Sequence, residues 1–493
     1  MVPLASAPDP TPDPTPDPTP DPTSESDQGA IEQFDVVVIG GGPGGYAAAL
    51  YGANAGLKIA VVEKDKVGGT CLHRGCIPAK EFLETATVYR TVLGAAEFGI
   101  TAPPPDVDFS VSQARKNKVV DQLFKGLSGL LKKRKITVVT GFGSLGPDHV
   151  VSVDGRPRLV GASVILAAGS AVRTIPGFDI DGTLVMTSDE VLSLSALPAS
   201  VAVIGGGAIG CEFASMMADM GVKVTLLEVL PKILAACDTD VADVVLRSFK
   251  KRGIDTITGA TGLSHTPAAE GSGTTVSWDG GSVEVEAIIV SVGRRPFSDG
   301  LLQAGTGVEI DERGFVKVDE TLRTSAEGVW AIGDLIATPQ LAHVGFAEGM
   351  NAIHGILGEH VMPIDYGKVP WCIYCHPEVA FAGHSEQSAK AAGYEIVVKK
   401  DPYGGNGRAL IIGDADGLVK VICEKLADGS AGKILGVHMV GPWVTEQLGQ
   451  AYLAVNWEAT PQEVAAFIQP HPSLSETFGE TVIALTGRGL HVG

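Results

Sequence analysis

Cys71 and Cys76 stand five residues apart in the run Gly68-Gly69-Thr70-Cys71-Leu72-His73-Arg74-Gly75-Cys76-Ile77-Pro78-Ala79-Lys80. Two thiols at this spacing can bridge across a short loop or a helical turn. A disulfide formed there would be catalytic, because a structural one in a reducing compartment gains little and is reduced. Pro78 suits the start of a helix, and a helix N-terminus lowers a thiol pKa. Lys80 lies four residues after Cys76, on the same helix face, so its ammonium can support a thiolate and point at the same ligand. Two buried free thiols are the competing reading, and the dinucleotide motif just upstream counts against it. His471, between Pro470 and Pro472, is a second candidate. A dithiol must lose a proton before it attacks a disulfide, imidazole titrates near the working pH, and a carboxylate such as Glu476 can fix its tautomer. Ser473-x-x-Glu476 also reads as a capping box for a following helix.

The elements that must position these groups are written twice. Val36 to Glu63 reads VVVIGGGPGGYAAALYGANAGLKIAVVE and Val201 to Glu228 reads VAVIGGGAIGCEFASMMADMGVKVTLLE, offset by 165 residues and identical at 12 of 28 positions. Gly40, Gly42 and Gly45 match Gly205, Gly207 and Gly210, and Glu63 matches Glu228. Each G-x-G-x-x-G follows an apolar β-branched strand, opens a helix that stops at Gly56 or Gly221, and leads to a strand closed by Glu. The first glycine makes the turn, the second lets backbone approach a pyrophosphate, and the third lets helix and strand pack closely. The anion then rests on free N–H groups at a helix N-terminus. Glu63 and Glu228 can each accept from a ribose diol. A 2′-phosphate would be repelled there, so the second copy reads as an NAD site rather than an NADP site.

A chain of 493 residues is too long for one core. Its formal charge of −20, from 37 Lys+Arg against 57 Asp+Glu, disfavours nucleic acid and anionic membranes as partners. No apolar run approaches the ~20 residues of a membrane helix, so a soluble chain is expected. Seven Cys cannot make a secreted disulfide scaffold, and the N-terminus shows no signal-peptide pattern, which points to the cytoplasm and reduced thiols. Residues 8 to 23 are four copies of Pro-Asp-Pro-Thr, so 1–30 are expected to form an extended acidic tail. A first domain is expected over 31–160, carrying a long basic helix near Lys116 to Lys135, and a second α/β unit over 161–290. The segments VSVGRRP (Val290 to Pro296) and GVWAIGD (Gly328 to Asp334), within 291–365, are expected to return the chain to the first domain. A separate mixed α/β domain follows over 366–493. Cys372-x-x-Cys375 invites a metal reading, but on a strand residues three apart face opposite ways and no second pair exists, so no metal site is expected and both are read as core. Cys211, Cys237 and Cys423 are read as packing residues.

GGTCLHRGCIPAK, the paired glycine motifs, GVWAIGD, YCHPEVAFAG (Tyr374 to Gly383) and HPSLSE (His471 to Glu476) together resemble the pyridine nucleotide-disulfide oxidoreductases, over a span from Phe34 to the C-terminus. The resemblance implies an α/β fold of two Rossmann-like dinucleotide-binding domains, for FAD and NAD, and a C-terminal mixed α/β dimerisation domain. It implies FAD at Gly40 to Gly45 and Glu63, with Lys80 beside it, Asp334 on its ribitol side and Ala342-His343 near its ring, so that 291–365 completes the FAD site. It implies NAD at Gly205 to Gly210 and Glu228, with Glu212 near the nicotinamide. Cys71 is then the exchange thiol, Cys76 the thiolate against the flavin, and His471 the acid/base, supplied by the other subunit of a homodimer and oriented by Glu476. The branch of the family most resembled passes electrons from the dihydrolipoamide of 2-oxo acid dehydrogenase complexes, carried on lipoyl domains, to FAD and then to NAD. Departures are Ala79 for a common Ser, Ala167 to Ser170 as AAGS for ATGS, and Cys375 for a typical Thr. A reductase for glutathione, mycothiol or mercuric ion is the competing enzyme reading. Glu228 and the lack of cysteines in residues 477–493 count against it. A non-catalytic subunit that kept the fold is the third reading, and it would need none of Cys71, Cys76, Lys80 or His471.

Overall fold

In the computed structural model, which describes residues 31–267 and 273–491, both glycine-motif copies fold alike. Strand Glu32–Ile39 leads into helix Pro43–Asn54 and strand Ile59–Glu63, and strand Ser200–Ile204 leads into helix Ala208–Asp219 and strand Lys223–Glu228. Within each copy the two strands pair in parallel. Val36, Val37 and Val38 are fully buried, as are Val201, Ala202 and Val203, which is what unbroken apolar runs require of parallel strands covered on both faces. Gly56 and Gly221, at φ +89 and +90, end the two helices in the left-handed conformation that glycine adopts without strain. The expected acidic tail, 1–30, lies outside the described residues.

The first sheet runs Thr137–Thr140, Ile59–Glu63, Glu32–Ile39, Arg156–Leu166, Val150–Val153, Gly143–Leu145, with Val329–Ala331 also on Arg156–Leu166. The expected boundary at residue 160 falls inside Arg156–Leu166. That strand pairs with Glu32–Ile39 as far as Leu166, because its first half makes the hairpin and its second half the parallel core. The GVWAIGD segment does return to this sheet. The segment around Arg294 instead pairs Arg294–Pro296 with Ser170–Val172 in a two-stranded link between the sheets. The second sheet, Asp255–Thr258, Lys223–Glu228, Ser200–Ile204, Ala287–Val290, Val185–Met186, is parallel throughout. The third, Trp371–Ile373, Glu378–Gly383, Ala431–Gly441, Leu418–Lys425, Ile396–Pro402, is antiparallel and packs helices Val444–Asn456 and Glu476–Leu485 into one core.

Charged side chains join the units. Asp219, almost fully buried at the end of Ala208–Asp219, accepts from Arg90 of helix Cys76–Gly94 and from Arg252, while Arg252 also donates to the His376 carbonyl at 2.7 Å. Lys420, 1% exposed, donates to Asp238, Asp240 and Glu386 at 2.8–2.9 Å and ties helix Thr239–Lys251 to the third sheet. Breaking such a buried cluster by removing one partner costs about 3–5 kcal/mol, because the others keep uncompensated charge.

Candidate active site

The two glycine loops open onto one cavity of about 1280 Å³, larger than the ~300–1,000 Å³ of an ordinary small-molecule pocket. Gly40, Gly42 and Glu63 line one end and Gly205, Gly207 and Glu228 the other, with Cys71, Cys76, Lys80 and Glu212 on the wall between. The three motif glycines act differently. Gly40 and Gly205 have φ +109 and +108, so they make the turn. Gly45 and Gly210 do not line the cavity, and a Cβ on either would come within 1.9 or 1.8 Å of the Gly40 or Gly205 carbonyl oxygen, so their bareness is what lets helix meet strand. A Cβ on Gly42 or Gly207, the N-cap of each helix, would meet nothing within 4 Å and would fill the cavity mouth itself. Free N–H groups at a helix start, backed by open space kept clear by glycine, fit a pyrophosphate at each end.

Glu63 and Glu228 do more than the sequence suggested. Glu63 Oε2 accepts from Gly41 N–H at 2.7 Å and Oε1 from Asp65 N–H at 2.9 Å. Glu228 repeats this with Gly206 at 2.5 Å and Leu230 at 2.7 Å. Each carboxylate braces its own glycine loop and keeps lone pairs for a ribose. Glu228 is 7% exposed, so a 2′-phosphate would be placed against a poorly hydrated anion. The native protein is therefore expected to use NADP less efficiently than NAD by on the order of a hundredfold or more in kcat/KM, the scale of two like charges about 4 Å apart at a partly buried site. Comparable efficiency with the two nucleotides, measured side by side, would remove Glu228 from this role.

Cys71 sits in the short helix Gly69–Arg74. Gly75, at φ −145 and ψ −110, breaks the chain direction, and Cys76 is the first residue of the 19-residue helix Cys76–Gly94. The Gly68 N–H donates to the Gly41 carbonyl at 2.7 Å, which seats this corner on the first glycine loop. Both sulfurs are half-buried. Proton sharing with the Cys71 thiol is the largest influence on Cys76 and brings its thiol down to about 7 against the cost of burial, with help from the Lys80 charge. Cys71 moves the opposite way, since it keeps the proton and is itself buried.

Lys80 does more than face the cysteines. Its Nζ donates to both oxygens of Glu212 at 2.8 Å and lies 4.8 Å from the centre of the Tyr374 ring. Burial works against its charge, but Glu212 outweighs burial and holds the ammonium above its usual range. Glu212 also accepts from the Tyr374 N–H at 2.9 Å, so one carboxylate links the cysteine helix, the second glycine helix and the third sheet.

Asp334 lines the cavity, and its Oδ2 accepts from the Ser170 hydroxyl at 2.5 Å; Arg294 donates to that hydroxyl at 2.7 Å and to the Ser170 carbonyl at 2.9 Å. Ala342 lines the cavity too, but His343 does not: its Nε2–H donates to the Pro370 carbonyl at 2.8 Å, which turns the ring away. Cys375 is core, fully buried, as expected. Cys372 is half-buried: it packs against the core of the third sheet and also lines the cavity wall. Among the described residues no group of three or more His, Cys, Asp and Glu is arranged to hold a metal ion.

His471 is joined to Glu476, Nδ1–H to Oε1 at 2.7 Å, with its side chain 78% exposed and outside the cavity of its own chain. Only half of the expected capping box forms. Glu476 Oε2 accepts from the Ser473 N–H at 2.7 Å, but the helix starts at Glu476 and the Ser473 hydroxyl turns to Ser475. Glu476 is thus occupied on one oxygen by the backbone and on the other by the imidazole.

Comparison with known proteins agrees with this arrangement. The family described as pyridine nucleotide-disulphide oxidoreductase matches residues 34–349, and the dimerisation domain of the same family matches residues 369–482. The chain belongs to this family. It is 42% identical over 480 residues to a dihydrolipoyl dehydrogenase of Bacillus subtilis, covering 93% of this chain and 99% of that protein. A dihydrolipoyl dehydrogenase of Zymomonas mobilis is 38% identical over 468 residues, with the same coverage. The crystal structure of LpdA from Mycobacterium tuberculosis superposes with a TM-score of 0.84 at 27% identity, covering 92% of this chain and all of that one. The chain is thus a flavoprotein disulfide oxidoreductase that uses FAD and NAD, with a domain for pairing with a second copy.

Proposed function

We propose that the chain oxidises dihydrolipoamide carried on the lipoyl domains of 2-oxo acid dehydrogenase complexes and reduces NAD, working as a homodimer in the cytoplasm. The observation that carries this reading is the placement of a thiol pair, one member lowered to about 7, on the wall between two dinucleotide loops of one cavity. The names and near full-length identity of the Bacillus and Zymomonas proteins support the substrate.

In the proposed reaction a substrate thiolate attacks Cys71 of the oxidised pair, forming a mixed disulfide and releasing Cys76 as a thiolate. Cys76 is a good leaving group because its thiol is acidic, and the Lys80 charge and the helix N-terminus hold the resulting anion. The second substrate thiol then attacks its partner sulfur, lipoamide departs, and Cys71 retains the electron pair and takes a proton. The imidazole of His471 of the partner subunit accepts the protons that both attacking thiols must lose, and Glu476 holds its tautomer. FAD held along Gly40, Gly42, Glu63 and Asp334 would supply a two-electron carrier between the reduced cysteines and NAD, which Gly205, Gly207 and Glu228 would hold. Throughout, Glu63 and Glu228 hold the glycine loops, and Glu212 keeps the Lys80 ammonium in place. The test is direct. Purified protein is expected to form NADH from NAD and dihydrolipoamide, and to fail with glutathione or mycothiol disulfide and NADPH. Turnover of the latter pair alone would reject the proposal.

A further inference from the structure

Glu348 lies outside the groups used so far. It sits in the middle of helix Ala342–Ile356 with 0% exposure, and no lysine, arginine or histidine pairs with it among the described residues. Three donors from three separate segments converge on it instead. The Gly333 N–H reaches Oε2 at 2.5 Å, and the hydroxyls of Thr338 and Tyr366 reach Oε1 at 2.8 and 2.9 Å. Two of these donors belong to the cavity wall: Gly333 immediately precedes Asp334, and both Gly333 and Thr338 line the cavity. The helix that carries Glu348 also packs backbone to backbone on the first glycine helix, where a Cβ on Gly349 would come within 2.7 Å of the Gly44 carbonyl oxygen.

We propose that Glu348 is a positioning residue for FAD, holding the Gly333–Asp334 turn and Thr338 in register with the pyrophosphate loop; this rests on the reading that FAD lies along that wall. The argument is one of need. Filling a core calls for no charge, and an apolar side chain of similar volume does it as well or better. A carboxylate is acceptor-only, so it suits a place where an N–H and two hydroxyls must be drawn to one point. Its partners distinguish it from ordinary core packing. One fixes the backbone of the turn from beneath, while Ser170 fixes the Asp334 side chain from the other side. Through its helix Glu348 refers that turn to Pro43–Asn54, so the two ends of the flavin site share one frame. Burial, and to a smaller extent the Asp334 charge, push its carboxyl upward, and the three donors oppose that.

The dissociation constant of FAD, read from flavin fluorescence as holoenzyme is diluted, tests this. Glu348→Ala is expected to raise it at least about tenfold, the scale of leaving buried donors unpaired. Glu348→Gln should stay within about threefold of native, because its oxygen can accept from Gly333 while its amide donates to hydroxyls that can reverse roles. Tyr366→Phe, a change outside the cavity, should raise it about fivefold. A purely structural role would lower the melting temperature of flavin-stripped protein and leave FAD affinity unchanged. Native affinity in a folded Glu348→Ala protein overturns the proposal. If that variant does not fold, native affinity in Tyr366→Phe does so. Native enzyme isolated without flavin, and unable to bind it, would instead remove the cofactor reading on which the proposal stands.

Discussion

Cys71→Ser and Cys76→Ser are each expected to reduce dihydrolipoamide oxidation by on the order of 10⁴-fold or more, the loss typical of removing a nucleophile from a group that acts as a unit. The two variants should still differ, because the sulfurs are unlike. In reduced native enzyme one thiolate should titrate at about 7, present above that pH and lost as pH falls through it, so thiol oxidation should slow below neutrality. Serine at position 71 can still donate to the Cys76 sulfur, so Cys71→Ser should keep the near-neutral titration and Cys76→Ser should lose it. Thiolate absorbance in the near ultraviolet, followed against pH, reads this directly. A near-neutral titration that survives Cys76→Ser and vanishes in Cys71→Ser would exchange the roles of the two cysteines.

His471→Ala should impair reaction with dihydrolipoamide by about 10²–10⁴-fold, the range for loss of a general base. Oxidation of NADH by an artificial acceptor that draws electrons from the flavin should largely survive. The exposed imidazole, bonded to Glu476 but absent from the cavity of its own chain, motivates a sharper experiment. If His471 serves the cysteines of the other subunit, a dimer of one Cys71→Ser chain and one His471→Ala chain has one intact site and one doubly damaged site. Both homodimers have none. Random reassembly at equal amounts gives about half hybrids, so activity should return to about a quarter of native for independent sites on a two-fold dimer. No recovery after verified subunit exchange would place His471 in its own chain's site or outside both.

Residues whose roles follow from local geometry were readable in the sequence. Positive φ and contacts near 1.9 Å permit only glycine at Gly40 and Gly45, so the motif declared its own fold twice. Cys76 and Lys80 were readable because one helix fixes their spacing. The missed contacts span the chain: Ser170 to Asp334 is 164 residues, Lys80 to Glu212 is 132, and both depend on how strands return to sheets already built. Glu348 gave no signal, since one acidic residue in an Ala/Gly-rich helix reads as solvent-facing until the cover on that face is known. Cys372 and Cys375 fall against separate cores, as residues three apart should, but that Cys372 also reaches the cavity wall depends on contacts no local pattern shows. His343 depends in the same way on the distant Pro370 carbonyl.

Two near-copies of a nucleotide-binding segment suggest cassettes that could be exchanged or replaced one at a time. Asp219 argues otherwise. Its counterpart in the first copy, at the same offset, is Asn54, an uncharged side chain at the same helix end. The second copy alone carries the carboxylate that receives both Arg90, from the cysteine helix, and Arg252. A chimera that moved the first copy's helix into the second place would keep every motif glycine and still strand two arginines in a nearly dry joint. The duplication therefore left modules that are alike in what they hold and fixed in where they can stand, and grafting one from a relative would succeed only with Arg90, Asp219 and Arg252 moved as a set.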